Sequence, residues 1–194
     1  MPDLIPLFLN LTGRRVLLVG GGPVAASKLE QLLSVGAVVR VVAPEVRDEI
    51  VRSGVAVERR GFVADDLDDV WLVVAAATSG VNRSVAAAAE ARRLFVNAVD
   101  DPENATAFLS GVVRREGVTV AISTNGEAPG LTSLLREALD EVLPEDLGTW
   151  LREARRQREG WRREGVPMGD RKPLLLQALN RLYSADVEAD RAIG

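Results

Sequence analysis

Residues 16–25 read VLLVGGGPVA, and this stretch decides the fold of the chain. Four apolar residues of strand type lead into three glycines, and a helical pattern follows from Pro23. Glycine permits a tight turn and lets backbone N–H groups approach a phosphate, while Ala25 in the spacing Gly20-x-Gly22-x-x-Ala25 still allows close packing of helix on strand. With a strand before it and a helix after it, the spacing predicts a dinucleotide-binding turn.

Strand-like and helical patterns alternate along the first half of the chain. The run 70–77 is continuously apolar, which is typical of a strand buried on both faces of a parallel sheet. This alternation predicts an α/β fold with a doubly wound, Rossmann-like parallel sheet. The predicted strands are 14–20, 37–43, 55–59, 70–77 and 94–99, and the predicted helices are 23–35, 45–53 and 81–93.

The pattern changes after residue 106. Two predicted strands, 107–114 and 118–123, are separated by a turn too short for a crossover helix, so they should be antiparallel. Only helical patterns follow. We therefore expect a nucleotide-binding domain at 1–106, a small α+β segment at 107–143 and a helical C-terminal domain at 144–194. The later helices are predicted at 131–143, 146–164 and 172–184.

The composition restricts the chemistry available to this chain. It has 194 residues, 47% of them hydrophobic and 27% charged, with neither cysteine nor histidine. Disulfides, thiolate catalysis and zinc sites built on cysteine or histidine are therefore excluded, and no metal site is expected. Acid–base chemistry must use Asp, Glu, Lys, Tyr or the substrate itself.

The sequence carries no sign of export or of membrane insertion. Residues 1–11 are apolar but short, contain Asp3 and lack a basic region, and no other apolar run is long enough to span a bilayer. We expect a cytoplasmic protein with no membrane partner.

Positive charge is concentrated in the last quarter of the chain. Residues 148–194 hold ten basic and seven acidic side chains in a chain whose net charge is −4. A basic tail on an acidic body is compatible with an anionic ligand, and equally with a solvated helical face. The excess of positive charge is too small to favour nucleic acid as a partner.

The glycine turn and the residues after the second strand form the predicted cofactor site. The pyrophosphate should lie over Gly20, Gly21, Gly22, Pro23 and Val24. Glu45, 23 residues after Gly22, has the spacing of a ribose ligand, but after Pro44 it would also suit the first turn of a helix. No arginine follows the second strand immediately, which favours NAD over NADP.

Other polar residues end later strands, where ligands bind in open α/β sheets. Thr78 follows small residues that leave room for a nicotinamide, although plain close packing explains them as well. Asp100 is the nearest carboxylate to this edge and the best candidate for a general base, against its alternative as a turn residue before Pro102. Ser123, Thr124 and Asn125 could line the same cleft, but a polar turn explains them better when they are taken alone.

Several linked motifs make the pattern specific. They are LFLNL at 7–11, VGGGPVA at 19–25 with Lys28, VAPE at 42–45, AAT at 76–78 with Val81-Asn82, VNAVDDP at 96–102, and VAISTNG at 120–126 continuing through Pro129 to LLRE at 134–137. Together they resemble the precorrin-2 dehydrogenase family, which also supplies the N-terminal module of multifunctional siroheme synthases.

The resemblance implies NAD-dependent oxidation of precorrin-2, a tetrapyrrole, to sirohydrochlorin, and in some members iron insertion as well. It implies that Asp100 is the acid–base residue and that Pro23-Val24 and Pro44-Glu45 contact NAD. It also implies a homodimer with 107–143 as the dimerisation segment. A non-catalytic NAD-sensing domain is the alternative from another functional class.

The chain departs from the family pattern at Ser110, where proline is usual, at Glu127, where glycines are usual nearby, and at Ser133, where arginine is usual. These residues fall in the segment that the resemblance assigns to the substrate cleft. Precorrin-2 carries eight carboxylates, so arginines of the tail would suit it electrostatically. The arginines in question are Arg152, Arg155, Arg156, Arg162 and Arg163.

Overall fold

The computed structural model describes residues 4–109 and 111–193, with side chains described as far as Tyr183; Ser110 lies outside the described residues. The helices and strands alternate through the first half, as the sequence predicts. In chain order they are β1 Arg15–Val19, α1 Pro23–Ser34, β2 Val38–Val42, α2 Asp48–Arg52, β3 Ala56–Glu58, β4 Leu72–Ala75, α3 Ser79–Ala91, β5 Phe95–Ala98, β6 Gly111–Arg115, β7 Val118–Ile122, α4 Pro129–Val142, α5 Leu147–Glu164 and α6 Met168–Ile193.

Five parallel strands form one sheet in the order β3-β2-β1-β4-β5. The predicted Rossmann-like α/β fold is therefore confirmed. Val19, the last residue of β1, is in register with Val42 of β2 on one side and with Ala75 of β4 on the other. The strand order reverses between β1 and β4, and the carboxyl ends of these strands form the switch point where such sheets bind ligands.

Helices cover both faces of the sheet. On one face, α1 buries Ala25, Ala26, Leu29 and Leu32 against a core that includes Leu18. On the other face, the buried side chains of α3 pack on the opposite side of β1 and β4. The central strands are consequently buried on both sides, which is why their sequences are continuously apolar.

The second helix begins later than the sequence predicts. α2 begins at Asp48 instead of residue 45, so Pro44 does not start a helix. The N–H of Arg47 donates a hydrogen bond of 3.0 Å to the carbonyl of Gly21, which ties this segment to the glycine turn. Residues 45–47 therefore lie against the glycine turn in non-helical backbone.

The strand predicted from residue 107 also begins later, at Gly111. The N–H groups of Thr106 and Ala107 both donate hydrogen bonds of 2.9 Å to the carbonyl of Val96, so this segment lies along β5. The predicted antiparallel pairing of the two later strands is confirmed, with Val113 opposite Val120. Two short 3-10 helices, Ala64–Leu67 and Pro102–Asn104, were not predicted, and α6 begins before the predicted residue 172.

The chain divides into two compact units. The sheet unit contains the described residues as far as Leu109 together with Ser123–Pro129, and the helical unit contains β6, β7 and the chain from Gly130 onward. The three-part division at residues 106 and 143 stays a prediction. Within the described residues, no helix is both long enough and apolar enough to cross a membrane.

Candidate cofactor and catalytic site

Close backbone contacts fix the first two glycines of the turn. Gly20 has a φ of +131°, and a Cβ atom there would lie 2.3 Å from the carbonyl oxygen of Ala76. A Cβ atom on Gly21 would lie 1.9 Å from the carbonyl oxygen of Glu45. Both positions require glycine because the turn packs against the segments that follow β4 and β2.

Gly22 has open space beside it. A Cβ atom at this position would meet no atom within 4 Å. Gly22 is the N-cap of α1, and no described side chain caps this helix end. N–H groups at a helix N-terminus that faces open space form a site for a phosphate group. With Pro23 and Val24 exposed beside them, these residues fit the pyrophosphate of a dinucleotide.

Pro44 and Glu45 are exposed after β2, and the backbone of Glu45 lies against Gly21. Because α2 begins only at Asp48, the interpretation of Glu45 as a residue of a helical first turn is wrong. An exposed carboxylate beside the glycine turn has the position suited to ribose hydroxyls. Ribose contact by Glu45 stays a prediction.

Thr78 follows β4 at the same edge and is the N-cap of α3, although its side chain makes no capping hydrogen bond. Asn82 holds this turn: its Oδ1 accepts a hydrogen bond of 3.2 Å from the N–H of Ala77, and its own N–H donates to the Thr78 carbonyl at 2.9 Å. Asn82 is 2% exposed. This role was not predicted from the sequence, although an asparagine in the buried stripe with Val85 and Ala89 is a signal for it.

Asp100 lies at the carboxyl end of β5 with an exposed side chain and a φ of +55°. The N–H of the preceding residue, Val99, donates a hydrogen bond of 2.9 Å to the carbonyl of Ala75, the last residue of β4. The next residue of that segment, Ala76, is the one that contacts Gly20. The fold therefore brings the predicted acid–base residue and the glycine turn to one edge of the sheet.

The loop after Asp100 is closed onto β5. Thr106 Oγ1 accepts a hydrogen bond of 2.9 Å from the N–H of Val96, and Asn97 Nδ2 donates one of the same length to the Ala107 carbonyl. Two buried acceptors near Asp100, Asn97 Oδ1 and Asp101 Oδ2, have no hydrogen-bond partner within the described residues. Such atoms in native proteins are commonly satisfied by water.

Ser123, Thr124 and Asn125 belong to the sheet unit. Their loop lies beside the Asp100 loop, because a Cβ atom on Gly126 would lie 3.4 Å from the ring of Phe108. The hydroxyls accept hydrogen bonds from N–H groups of their own loop, Ser123 Oγ from Asn125 at 3.1 Å and Thr124 Oγ1 from Ala128 at 3.2 Å. This geometry is that of a polar turn, and substrate contact stays a prediction.

Lys28 projects from α1 and is half-buried. Burial lowers the pKa of its ammonium group, and the nearby carboxylate of Asp100 offsets part of that effect. Lys28 and Lys172 are the two lysines among the 24 basic residues of the chain, and the sequence predicts Lys28 only as part of the motif that begins at residue 19.

An ionic network holds the segment after β3. Asp66, 2% exposed, contacts Arg60 at 2.5 Å and Arg40 at 3.2 Å, and it accepts the N–H of Val63 at 2.9 Å. Hydrogen bonds from Arg60 lower the pKa of Asp66, and hydrogen bonds from Arg40 and Arg60 lower that of Glu58. The pKa of Arg60 is raised by the same contacts. This network stabilises β3, the outermost strand on that side of the sheet.

The tail arginines lie on α5 in the helical unit, where all five are exposed. Arg156 pairs with Glu153 at 2.8 Å and lowers the pKa of that carboxyl group. Within the described residues, no group of three His, Cys, Asp or Glu side chains could hold a metal ion.

Comparison with known proteins supports the family resemblance seen in the sequence motifs. Residues 7–111 match the sequence profile of a family described as "Putative NAD(P)-binding". The chain is 39% identical over 187 residues to siroheme synthase of Photorhabdus laumondii, covering 94% of this chain and 40% of that protein. It is 39% identical over 189 residues to siroheme synthase 3 of Aeromonas hydrophila, covering 95% and 40%. The chain thus spans about two fifths of these relatives.

A solved structure resembles almost the whole chain. SirC, a precorrin-2 dehydrogenase, superposes with a TM-score of 0.65 at 26% identity, covering 90% of this chain and 88% of that one. The NAD prediction is confirmed at the level of an NAD(P)-binding family. The chain therefore belongs to the NAD(P)-binding family that includes precorrin-2 dehydrogenase and the corresponding part of siroheme synthases.

Proposed function

We propose that this chain is an NAD-dependent oxidoreductase that converts precorrin-2 to sirohydrochlorin in siroheme biosynthesis. The observation that carries the proposal is the likeness to SirC, a precorrin-2 dehydrogenase, over nine tenths of the chain. The exposed Asp100 at the cofactor edge supports it. In the overall reaction precorrin-2 and NAD⁺ give sirohydrochlorin, NADH and a proton.

Gly20 to Val24 would hold the pyrophosphate at the N-terminus of α1, and Glu45 would accept hydrogen bonds from the ribose hydroxyls. Bound NAD supplies the hydride acceptor. Thr78, with an exposed side chain after β4, would border the nicotinamide. An acidic side chain at the ribose position favours NAD over NADP, because a 2′-phosphate would meet like charge.

Asp100 would accept the proton that leaves the macrocycle as the hydride departs. It is exposed and lies at the same edge as the glycine turn, so a bound substrate can reach it. A positioned general base contributes about 10²- to 10⁴-fold to a rate. Orientation of substrate against cofactor would supply much of the remaining acceleration.

The proposed assembly is a homodimer in the cytoplasm. The amphipathic helix α4 supports it, because none of its residues is buried within this chain. A dimer interface over 107–143 would cover that apolar surface.

The experiment is to mix the purified protein with precorrin-2 and NAD without oxygen and to follow NADH by absorbance. NADH formed in proportion to sirohydrochlorin is the expected result. NAD binding without turnover of the tetrapyrrole would refute the dehydrogenase and favour an NAD-sensing domain.

A bifunctional dehydrogenase and ferrochelatase is the second candidate. The identity with siroheme synthases over 94% of the chain favours it, because siroheme contains iron. Iron insertion into sirohydrochlorin, assayed with ferrous iron and without NAD, separates the two activities.

A further inference from the structure

We propose that Asn82 is a positioning residue for the cofactor: its side chain fixes the turn 76–78, which would border the nicotinamide. The inference rests on the NAD site of the proposed function and extends that site to a residue behind it. Asn82 is 2% exposed and lies on the buried face of α3 with Val85 and Ala89. A buried amide needs hydrogen-bond partners, because an unpaired polar group is costly in an apolar environment.

The side chain of Asn82 holds the turn at the point where the strand pairing ends. The N–H of Ala76 donates a hydrogen bond of 2.8 Å to the carbonyl of Val19, which continues the pairing of β4 with β1. β1 ends at Val19, and the N–H of Ala77 donates instead to Asn82 Oδ1 at 3.2 Å. The asparagine oxygen therefore takes the place of a strand carbonyl and links the turn to the buried face of α3.

The same turn lies between the glycine turn and the segment that follows β5. A Cβ atom on Gly20 would lie 2.3 Å from the carbonyl oxygen of Ala76 and 3.4 Å from the nitrogen of Ala77. The carbonyl of Ala75, just before the turn, accepts a hydrogen bond of 2.9 Å from the N–H of Val99. A displacement of this turn would therefore change the surface that faces the reactive end of a bound dinucleotide.

Other contacts hold the part of the site that fits the pyrophosphate. The N–H of Gly20 donates a hydrogen bond of 3.0 Å to the Val42 carbonyl, and the Gly21 carbonyl accepts one of the same length from Arg47. Both contacts come from β2 and the segment after it, not from α3. A change at Asn82 should therefore disturb the nicotinamide end of the cofactor and leave the ADP-ribose end in place.

Two substitutions of similar size test this inference. Asn82→Leu removes the acceptor, whereas Asn82→Asp keeps an oxygen at the same position. Calorimetric titration measures the Kd of NAD and the Kd of ADP-ribose, which lacks the nicotinamide. We expect Asn82→Leu to raise the Kd of NAD about fivefold, the effect of one hydrogen bond, and to leave the Kd of ADP-ribose within about twofold of the wild type. Asn82→Asp should restore most of the NAD affinity.

Val85→Ala is the matched control. Val85 is 0% exposed on the same face of α3, so truncation should lower stability without removing a contact to the turn. This variant should bind NAD and ADP-ribose like the wild type, and urea unfolding compares its stability with that of Asn82→Leu. Asn82→Ala also removes the acceptor and carries the same expectation, which keeps the test open if the leucine variant does not fold.

Two results would overturn the proposal: unchanged NAD affinity in the variants without the acceptor, or equal weakening of NAD and ADP-ribose, which would indicate a structural role alone. Binding is measured without precorrin-2. A wild type that binds NAD but does not oxidise the tetrapyrrole would therefore refute the proposed dehydrogenase and leave the role of Asn82 standing. A wild type that binds neither ligand would refute both.

Discussion

Two helices of similar length, α1 and α4, show how the two units of this molecule differ. α1 buries Ala25, Ala26, Leu29 and Leu32 within its own chain. α4 is also amphipathic but buries no residue, and four of its apolar side chains are exposed by 40 to 77%. These are Leu131, Leu134, Leu135 and Val142. α1 therefore finds its packing partners within its own chain, whereas α4 presents an apolar surface that a second surface could cover.

The largest expected effect is on turnover, and it tests whether the acid–base residue lies in the sheet unit. Asp100→Asn should lower dehydrogenase turnover by about 10²- to 10⁴-fold, because the amide cannot accept the proton. Asparagine tolerates the φ of +55° at this position, so the fold should persist. NADH formation measures the rate, and circular dichroism checks the fold.

Asp69→Asn is the matched control for Asp100→Asn. Asp69 is also exposed and has a φ of 60°. It precedes β4, however, and so lies at the amino ends of the strands, away from the carboxyl ends where Asp100 lies. It should keep wild-type turnover. Equal losses in both variants would remove Asp100 from the mechanism.

The second prediction separates packing from binding inside the glycine turn. Gly21→Ala should lower the free energy of unfolding by about 3 kcal/mol, because its Cβ would collide with the Glu45 carbonyl. Gly22→Ala should cost less than about 1 kcal/mol, because its Cβ meets open space. Gly22→Ala should nevertheless weaken NAD binding about tenfold, a loss of about 1.4 kcal/mol.

Urea unfolding and calorimetric titration with NAD measure the two quantities. A Gly22→Ala variant that binds NAD like the wild type would place the pyrophosphate elsewhere. A Gly21→Ala variant of wild-type stability would contradict the packing of the turn.

The third prediction tests the exposed face of α4. Leu134→Glu places a charge on a side chain that is 65% exposed in the single chain and should convert the proposed dimer to a monomer. Sedimentation velocity measures the mass. Val51→Glu on α2, at a side chain 45% exposed, is the control and should leave the assembly intact. A wild-type protein that is monomeric at all concentrations would refute the proposed dimer.

The smallest expected effects are on the free energy of unfolding, and they come from one ion pair in each unit. Asp66→Asn should lower the free energy of unfolding at pH 7 by about 2 kcal/mol, because it leaves Arg40 and Arg60 without a buried partner. Arg156→Ala removes a pair along α5 whose arginine is 75% exposed, and it should cost less than about 1 kcal/mol because Gln157 still donates a hydrogen bond to Glu153.

The Asp66 effect should depend on pH. The pKa of Asp66 is lowered in the folded state, so its contribution is present above the usual carboxyl pKa of about 4 and is lost as pH falls through the lowered value. Urea unfolding at pH 7 and at pH 3 measures this, and the cost of Asp66→Asn should shrink at the lower pH. A constant cost would show that Asp66 acts by packing alone.

Part of the site was open to prediction because it follows from local chemistry. The glycine turn needs no distant residue to be recognised, and Asp100 was placed by the rule that ligands bind at the carboxyl ends of parallel strands. Glu45 was placed in the wrong element, because its segment is held by Gly21, 24 residues earlier. The role of Asn82 was missed, because a buried hydrogen bond to Ala77 leaves only a weak trace in the sequence.

The sequence by itself determined the parallel sheet, the position of the glycine turn and the absence of cysteine and histidine chemistry, since each depends on residue type and short-range periodicity. The tertiary structure alone decided which glycines are required for packing and which one faces open space. It also decided that α1 and Val99, the residue before Asp100, pack in one core, and that α4 keeps its apolar face exposed. Such contacts depend on strand order, and local patterns do not encode the strand order.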